Sequence, residues 1–281
     1  MTGGFQNSKP KPMRNFKSKL KNYCWNSFFS SFLVLVIVFT AIVLISTAFY
    51  LGWHDFSFFM AKKRTWTCFL ITLWTSLTAT VFSMLVGIPV GYTLSRHKPF
   101  CSDLLNTLIS LPIMVSPCAI GVFLLAFCKN FPMSNFTALT GIRFDHAVAG
   151  VILAQFTVTC TFCILLVKAS FDTVNPRFES VSRSLGASMW RTFFKVSLPL
   201  AKNGLLASLI IVWARAAAEW ESLMIFVGGI QGRTDVLPFA VYLDWNSGKL
   251  GWALTSSVFC VLIAIGSMYA VQRIGGKGYV W

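Results

Sequence analysis

Long apolar runs alternate with short polar segments along most of the chain. Six of these runs are long enough to cross the hydrocarbon core of a bilayer, which takes about 20 residues of helix. They cover residues 28–50, 66–94, 104–128, 146–170, 201–224 and 251–271. Because a backbone in lipid has to satisfy its own hydrogen bonds, the runs predict six transmembrane helices and an all-α polytopic membrane protein.

The composition of the 281-residue chain agrees with this pattern. Hydrophobic residues make up 56% of it and charged residues 12%, against about 25% charged residues in soluble proteins. Much of its surface therefore has lipid as its solvent. Cys68, Cys118, Cys160, Cys163 and Cys260 lie inside apolar runs, which predicts small packed side chains rather than a disulfide framework or a metal site.

The chain has a net charge of +15, and the distribution of its basic residues indicates the membrane topology. If the N-terminus is cytoplasmic, most Lys and Arg side chains of the connecting segments fall on the cytoplasmic side, so both termini are predicted to lie there. The cluster Lys62-Lys63-Arg64 is then outside and runs against the rule. The basic excess thus predicts contact with anionic lipid and no nucleic-acid partner.

This topology divides the chain into four regions. Residues 1–27 form a basic cytoplasmic tail, residues 28–65 a first transmembrane anchor with an outer loop, residues 66–271 the core, and residues 272–281 a short cytoplasmic tail. The first apolar run is longer than the 7–15 residues of a secretory signal, so it is predicted to remain as an anchor.

The cytoplasmic connection at residues 173–199, termed the elbow, has the most informative local pattern. Asn175-Pro176 predicts a helix start, Gly186 a sharp turn, and Ser188 the cap of a second short helix. Apolar side chains at helical spacing predict one apolar face on the first helix, formed by Phe178, Val181 and Leu185. On the second helix, Trp190, Phe193 and Phe194 are predicted to lie on the buried side. Either an interfacial connector or a docking surface for a cytoplasmic protein fits this pattern.

The elbow resembles a segment of the permease subunits of ABC importers, which carry E-A-A-x-x-x-G-x9-I-x-L-P. SVSRSLG at residues 180–186, followed after nine residues by VSLP at residues 196–199, fits that register without a gap. The Glu of the pattern falls on Ser180, with Glu179 beside it. Arg177, Arg183 and Arg191 lie on the polar side.

Further stretches resemble the same family in the same order. They are TATVFSMLVGIPVGYTLSR (78–96), LPIMVSPCAIG (111–121), ARAAAEWESLMIFVGG (214–229) and GRTDVLPFAVYL (232–243). The resemblance extends over roughly residues 66–271, and it is nearest to the permeases of the molybdate, tungstate and sulfate type.

The resemblance implies a type I ABC importer permease fold in the inner (plasma) membrane and one half of a homodimeric pathway. It implies ATP-driven import of molybdate, tungstate or a related oxyanion, with sulfate or another small solute as alternatives. Cytoplasmic ATPase subunits would bind ATP and Mg and grip the elbow, and an extracytoplasmic solute-binding protein would deliver the cargo. This chain itself would hold no cofactor and no catalytic site. The implied ATPase-coupling residues are Arg177, Glu179, Ser180, Arg183, Gly186, Ala187 and Arg191.

Polar and helix-breaking residues inside the predicted spans mark a candidate translocation pathway. Arg215 and Glu219 are four residues apart on one helix face and are predicted to pair, either as a lock between helices or as part of the pathway. Two prolines predict a bent or irregular segment. The candidate residues are Pro112, Ser116, Pro117, Arg215, Glu219 and Glu221. A membrane-embedded enzyme that uses Arg215, Glu219 and Glu221 is the alternative from another functional class.

Overall fold

A computed structural model describes residues 30–47, 60, 62–96, 102–130, 141, 144, 146–230 and 232–274, and regular secondary structure within these ranges is entirely helical. The basic tail predicted at residues 1–27 and the end of the C-terminal tail, residues 275–281, lie outside them. The chain divides into two units, residues 1–52 and 53–281. In the first unit, helix α1 (Ser30–Thr47) is apolar and has no buried residue, as expected for a helix surrounded by lipid.

The second unit contains the other helices for which the structure gives bounds. They are α2 (Lys63–Arg96), α3 (Ser102–Met114), α4 (Pro117–Lys129), α5 (Val148–Asp172), α6 (Arg177–Ser184), α7 (Met189–Thr192), α8 (Leu198–Ala217), α9 (Glu221–Phe226), α10 (Leu237–Asn246) and α11 (Leu250–Ile274). Among the described residues, five helices are long and apolar enough to cross a membrane, or six if one bent pair is a single span. The six predicted spans agree with this count if the bent pair is one span.

Helices α2 and α5 share the most extensive contact among the described helices, and small residues line the surface between them. Thr72, Ser76, Ala79 and Ser83 of α2 are buried, and a Cβ atom on Gly91 would lie 2.8 Å from Val167 Cγ1 and 3.0 Å from the Lys168 amide nitrogen. Small side chains let the two backbones approach, which is how helices pack in lipid. This pair is the scaffold to which the other elements attach.

Three apolar clusters pack around this scaffold. One joins α5 to α4 and α9, with Ile120, Val151 and Leu223 at its centre. A second joins α2 and α5 to α8, and a third joins α2 to α10 and α11. Helix α2 therefore contacts both the helices beside the elbow and those beside the loop at residues 232–236.

Two predicted spans are wrong in their bounds. The run at residues 104–128 is two helices, because α3 and α4 meet at an angle of 107°. The run at residues 201–224 starts and ends too late: a π-helical turn (Phe193–Ser197) joins α7 to α8, so a continuous helix covers Met189–Ala217. Apolar content alone did not reveal where hydrogen bonding continues or stops.

Candidate functional site

The two short helices of the elbow form as their local sequence predicts. The Asn175 side-chain oxygen accepts a hydrogen bond from the Arg177 amide, the first of α6, at 3.0 Å. The cap position itself is Pro176, one residue after Asn175, and no side-chain cap bond forms there. Gly186 follows with a φ of +85°, a left-handed conformation that favours glycine. The Ser188 hydroxyl then accepts from the Arg191 amide at 3.3 Å and caps α7.

The surface of the elbow differs from its prediction. Leu185 is 83% exposed and Trp190 is 73% exposed, and Phe194 is also exposed, so the prediction that Trp190 and Phe194 lie on a buried side is wrong. Phe193 alone of the three aromatic residues packs inward. The exposed residues of the elbow include Arg177, Phe178, Ser180, Val181, Arg183, Leu185, Gly186, Met189, Trp190, Arg191 and Phe194, while Ala187 is half-buried. A large exposed apolar patch with basic groups is typical of a surface that a partner covers.

Glu179 is the exception on α6, because its side chain points inward. It is 2% exposed, and its Oε1 accepts hydrogen bonds from Arg96 Nε at 2.7 Å and Ser197 Oγ at 2.8 Å. Its Oε2 accepts from the Tyr92 hydroxyl at 3.1 Å. These four residues are termed the elbow joint. Burial raises the pKa of Glu179, but the hydrogen bonds and the Arg96 charge outweigh it, so the pKa is lowered from its ordinary 4.5.

Aromatic side chains pack against Tyr92 of the elbow joint. The Tyr92 ring lies edge-on to Phe193 at 4.8 Å and to Phe171 at 5.2 Å between centroids. Arg96 also donates through Nη2 to the Val174 carbonyl at 2.9 Å. The end of α2 therefore holds the end of α5, the start of the elbow and the π-helical turn at one point.

The predicted pair Arg215–Glu219 is confirmed, but in a different setting. Arg215 Nη1 lies 2.7 Å from Glu219 Oε2, and Glu219 lies beyond α8, in the break before α9. Its Oε1 accepts from the Ser222 amide and hydroxyl at 3.2 and 3.0 Å. Gln155 of α5 donates to the Ala216 carbonyl at 3.1 Å. The break is thus a hydrogen-bonded joint rather than a frayed helix end.

The α3–α4 bend is brought against this break. Pro112 lies inside α3, Ser116 occupies the bend, and Pro117 starts α4. One residue further, Cys118 Sγ lies 3.8 Å from Glu221 Oε2. Ser116 and Pro117 therefore lie within two residues of a contact with Glu221, while Arg215 and Glu219 precede Glu221 in the chain and pair with each other. Pro112 is four residues before Ser116. Irregular backbone of this kind is tolerated at membrane depth only when it is buried in protein or lines a cavity.

Next to the α8 end lies an apolar cleft of about 650 Å³ between α8, α10 and α11. Its walls include Ala214, Ala217 and Trp220 on one side and Tyr242 and Ala264 on the others. None of the described residues that line it is charged. Its chemistry suits contact with lipid or protein more than capture of an anion.

A second charged cluster lies at the start of α2 and was not predicted. Arg64 Nη1 lies 2.9 Å from Asp244 Oδ1, and Arg64 Nη2 lies 3.2 Å from Asp235 Oδ2. Cys68 Sγ is 3.4 Å from the same Asp235 oxygen, and the Trp252 ring lies 5.5 Å from the guanidinium carbon. We term Arg64, Cys68, Asp235 and Asp244 the loop joint. Burial raises the pKa of Asp235 from its ordinary 3.8, although the Arg64 charge opposes the shift.

The sequence pointed to Arg64 and Glu179 but not to the residues that pair with them. Arg64 and Glu179 were noted, but their contacts lie 171–180 and 83 residues away in the sequence. The side chains that were not singled out are Tyr92, Arg96, Ser197, Asp235 and Asp244. The one available signal was the scarcity of acidic residues, nine in the chain, since each acidic residue beside a span is a candidate partner for a basic one.

Comparison with known proteins places this geometry in a family. Residues 56–275 match the family described as binding-protein-dependent transport system inner membrane component. Among relatives, the molybdenum transport system permease protein of Mycobacterium bovis is 29% identical over 209 residues, 74% of this chain and 79% of its own.

Two further relatives cover more of the chain. The molybdate/tungstate transport system permease protein of Methanocaldococcus jannaschii is 28% identical over 218 residues, 78% of this chain and 84% of its own. The sulfate transport system permease protein of Synechocystis is 26% identical over 235 residues, 83% of this chain and 85% of its own.

The fold has a counterpart among solved structures. A chain of a bacterial alginate ABC transporter, solved in complex with an alginate pentasaccharide-bound periplasmic protein, superposes with a TM-score of 0.73 at 15% identity, over 94% of this chain and 99% of that one. At this identity the likeness establishes the architecture alone, a type I ABC importer permease fold. The chain belongs to the family of inner membrane components of binding-protein-dependent transport systems, and it is a multi-pass membrane protein.

Proposed function

We propose that this chain is the membrane-spanning subunit of an ATP-driven oxyanion importer and forms one half of a homodimeric pathway. The observation that carries the proposal is the elbow, whose exposed apolar and basic surface is fastened to the ends of membrane helices. An importer needs such a surface, because the energy of ATP enters through a partner protein and has to reach the membrane helices mechanically.

In this proposal the dimer binds two ATPase subunits, which hold ATP and Mg. Each of them covers the exposed face of one elbow. Arg177, Arg183 and Arg191 face outward there and complement acidic side chains of a partner. Closure of the ATPases on ATP would draw the elbows together and open the pathway outward, and hydrolysis would reset it. Catalysis thus belongs to the partner.

The topology follows from the length of α2. Its 34 residues extend for about 51 Å at 1.5 Å per residue, which exceeds the bilayer core of about 30 Å, so its two ends lie on opposite sides. With the elbow joint in the cytoplasm, the loop joint is outside, where a solute-binding protein delivers cargo. The excess of Lys and Arg on the elbow side supports cytoplasmic placement of both termini. Arg64, which ran against the positive-inside rule, is paired with two carboxylates.

The charges near the helix breaks support transit rather than tight binding. The Arg215 charge is taken up by Glu219 at 2.7 Å, and Glu221 adds a further negative charge close by. An anion would meet no strong fixed site at this level, and weak binding allows release. Ser116, Pro117 and the two interrupted helices are the proposed pathway elements.

Relatives that carry molybdenum, tungstate or sulfate support an oxyanion as the cargo. The test is uptake and ATPase stimulation in liposomes that contain the chain, its ATPase and its cognate binding protein. Molybdate, tungstate and sulfate are compared at equal concentration. We expect molybdate or tungstate to stimulate most. Stimulation by sulfate alone would assign sulfate as the cargo. Stimulation by none of the three would contradict an oxyanion cargo, but it would not test whether the ATPase docks at the elbow.

Docking at the elbow has a matched pair of variants. Gly186 and Gly248 both have positive φ, +85° and +70°, and open space around the position of a Cβ atom. Gly186→Trp adds bulk to the proposed ATPase surface, and Gly248→Trp adds the same strain between α10 and α11. We expect Gly186→Trp to abolish co-purification of the ATPase and Gly248→Trp to retain it. Equal retention by both variants contradicts docking at the elbow.

A further inference from the structure

We infer that Glu179 is a positioning residue that fastens the first elbow helix to the membrane helices, so that motion of the docked ATPase reaches α2 and α8 together. This inference rests on the proposed function and adds a role for a residue inside the coupling segment. Glu179 acts through Arg96, Tyr92 and Ser197 of its own chain rather than through the ATPase surface.

The direction of the side chain is the first step. The neighbours of Glu179 on α6, Arg177, Phe178 and Ser180, are exposed, while Glu179 is 2% exposed. Both carboxylate oxygens are occupied by donors of the same chain. A residue that met the ATPase with its charge would have to give up these bonds, and leaving Arg96 without its partner in a buried site is strongly unfavourable.

The second step is the set of elements that Glu179 joins. Arg96 and Tyr92 belong to the last two turns of α2, and Ser197 belongs to the π-helical turn before α8. Helix α7 already continues into α8 through that turn, so the second elbow helix moves with α8. Helix α6 has no such helical continuity with a membrane helix on its C-terminal side, because it ends at Ser184 and the chain turns at Gly186.

The third step is how few other contacts hold α6. Ser182 and Thr192 share a hydrogen bond of 3.2 Å between the two elbow helices, and the apolar side chains Val181 and Leu185 are exposed. Among the described residues, the Glu179 carboxylate makes the ion pair that connects α6 to α2. If it is removed, α6 keeps its outward docking surface and loses its fixed position relative to α2.

The prediction is therefore a separation of docking from coupling. In the complete transporter in liposomes, Glu179→Ala should retain ATPase co-purification. The number of oxyanions transported per ATP hydrolysed should fall at least about tenfold, since a buried charge pair is broken. Molybdate, or whichever anion stimulates the wild-type protein most, is the probe. Glu179→Gln, which keeps the shape and one acceptor, should fall between the wild type and Glu179→Ala.

Milder variants keep the test decisive if Glu179→Ala does not fold. Tyr92→Phe and Ser197→Ala each remove one donor to Glu179 and leave the Arg96 ion pair in place, so each should lower the transport-to-hydrolysis ratio by a smaller factor. Arg96→Ala combined with Glu179→Ala should be no worse than the more impaired single variant, because the two residues act as one unit. Lys168→Ala, which breaks an exposed pair with Asp172 at 3.0 Å, is the matched control and should keep the ratio.

Two results overturn the inference. Loss of ATPase co-purification in Glu179→Gln and Tyr92→Phe would make Glu179 part of the docking surface. A wild-type transport-to-hydrolysis ratio in all the Glu179, Tyr92 and Ser197 variants that fold would leave it no role in coupling. Failure of the wild-type chain to bind an ATPase is a different result, and it contradicts the proposed function itself.

Discussion

The two ends of α2 are held in the same way and differ in how completely their polar groups are satisfied. At the elbow joint one arginine faces one carboxylate, and Glu179 accepts three hydrogen bonds. At the loop joint one arginine faces two carboxylates, and Asp235 Oδ1 and Arg64 Nε are buried without a hydrogen-bond partner among the described residues. One end is a saturated neutral pair, and the other is a buried cluster with a net negative charge.

This difference sets opposite electrostatic preferences. The pKa of Glu179 is lowered, so its environment favours the ionised carboxylate. The pKa of Asp235 is raised by burial, so its environment favours the protonated acid. The elbow joint is suited to transmit force without changing its bonding. At the loop joint, burial of the Asp235 carboxylate opposes the ion pairs that hold α10 and the preceding loop to Arg64. We therefore expect the loop joint to be the weaker of the two attachments.

The largest expected effect comes from removing the cation of the loop joint. Arg64→Ala leaves Asp235 and Asp244 buried beside each other without a positive partner, and loss of one partner from a buried ion pair costs about 3–5 kcal/mol. With two carboxylates left unpaired, we expect at least that loss in the free energy of unfolding. Denaturation in mixed micelles, followed by tryptophan fluorescence, measures it.

A neighbouring residue and a second substitution make this measurement specific. Lys63→Ala removes an exposed positive charge one position earlier and should change the free energy of unfolding by less than about 0.5 kcal/mol. Adding Asp235→Asn to Arg64→Ala removes one of the two unpaired charges and should recover part of the loss. If Lys63→Ala costs as much as Arg64→Ala, the general positive charge of this end of α2 is what matters, and the loop joint has no special role.

A smaller loss is expected from neutralising the carboxylate of the elbow joint. Glu179→Gln keeps the size of the side chain but weakens the bonds from Arg96 and Ser197 and places an amide where Oε2 accepted from Tyr92. The buried Arg96 guanidinium then lacks a counter-charge, and an unsatisfied buried group costs about 1–3 kcal/mol. The same micelle denaturation measures this loss. An unchanged free energy of unfolding would contradict a stabilising role for the hydrogen bonds that Glu179 accepts.

The matched substitution at the loop joint should have almost no cost. Asp235→Asn is also an isosteric neutralisation, but it leaves Arg64 paired with Asp244 and removes the excess negative charge. We expect a change of less than about 1 kcal/mol, with either sign. The contrast between Glu179→Gln and Asp235→Asn is the sharpest single test of the comparison, because equal losses in the two variants would contradict it.

Elements defined by neighbouring residues could be predicted from the sequence. The six apolar runs, the Asn175-Pro176 helix start, the turn at Gly186 and the cap at Ser188 all depend on residues close together in the chain. The elbow was recognised for this reason, and the family resemblance followed from its register. The Arg215–Glu219 pair, four residues apart, was predicted for the same reason.

Features that depend on distant residues could not be predicted in this way. Arg64 looked like an exception to the charge rule until Asp235 and Asp244 were found against it. At the end of α8, Gln155 of another helix donates to the Ala216 carbonyl, and no property of residues 201–224 signals this contact. Trp190 was assigned to a buried side because helical spacing shows that residues share a face but not what covers that face.

The smallest expected effect is a difference in how the two ends respond to pH. For Glu179 the folded-state pKa lies below the ordinary 4.5, so its stabilisation is present above pH 4.5 and is lost as the pH falls through the lowered folded value. For Asp235 the folded-state pKa lies above the ordinary 3.8, so the folded protein takes up the proton first and gains stability as the pH falls through the raised value. Hydrogen exchange at residues 232–246 should therefore slow as the pH falls through the raised value, after correction for the intrinsic exchange rate. Residues 176–186 should stay unchanged until the pH drops below 4.5 and then exchange faster. Asp235→Asn should abolish the first response and Glu179→Gln the second, whereas a shift of both segments in the same direction would mean that the charge balance of the two joints does not differ.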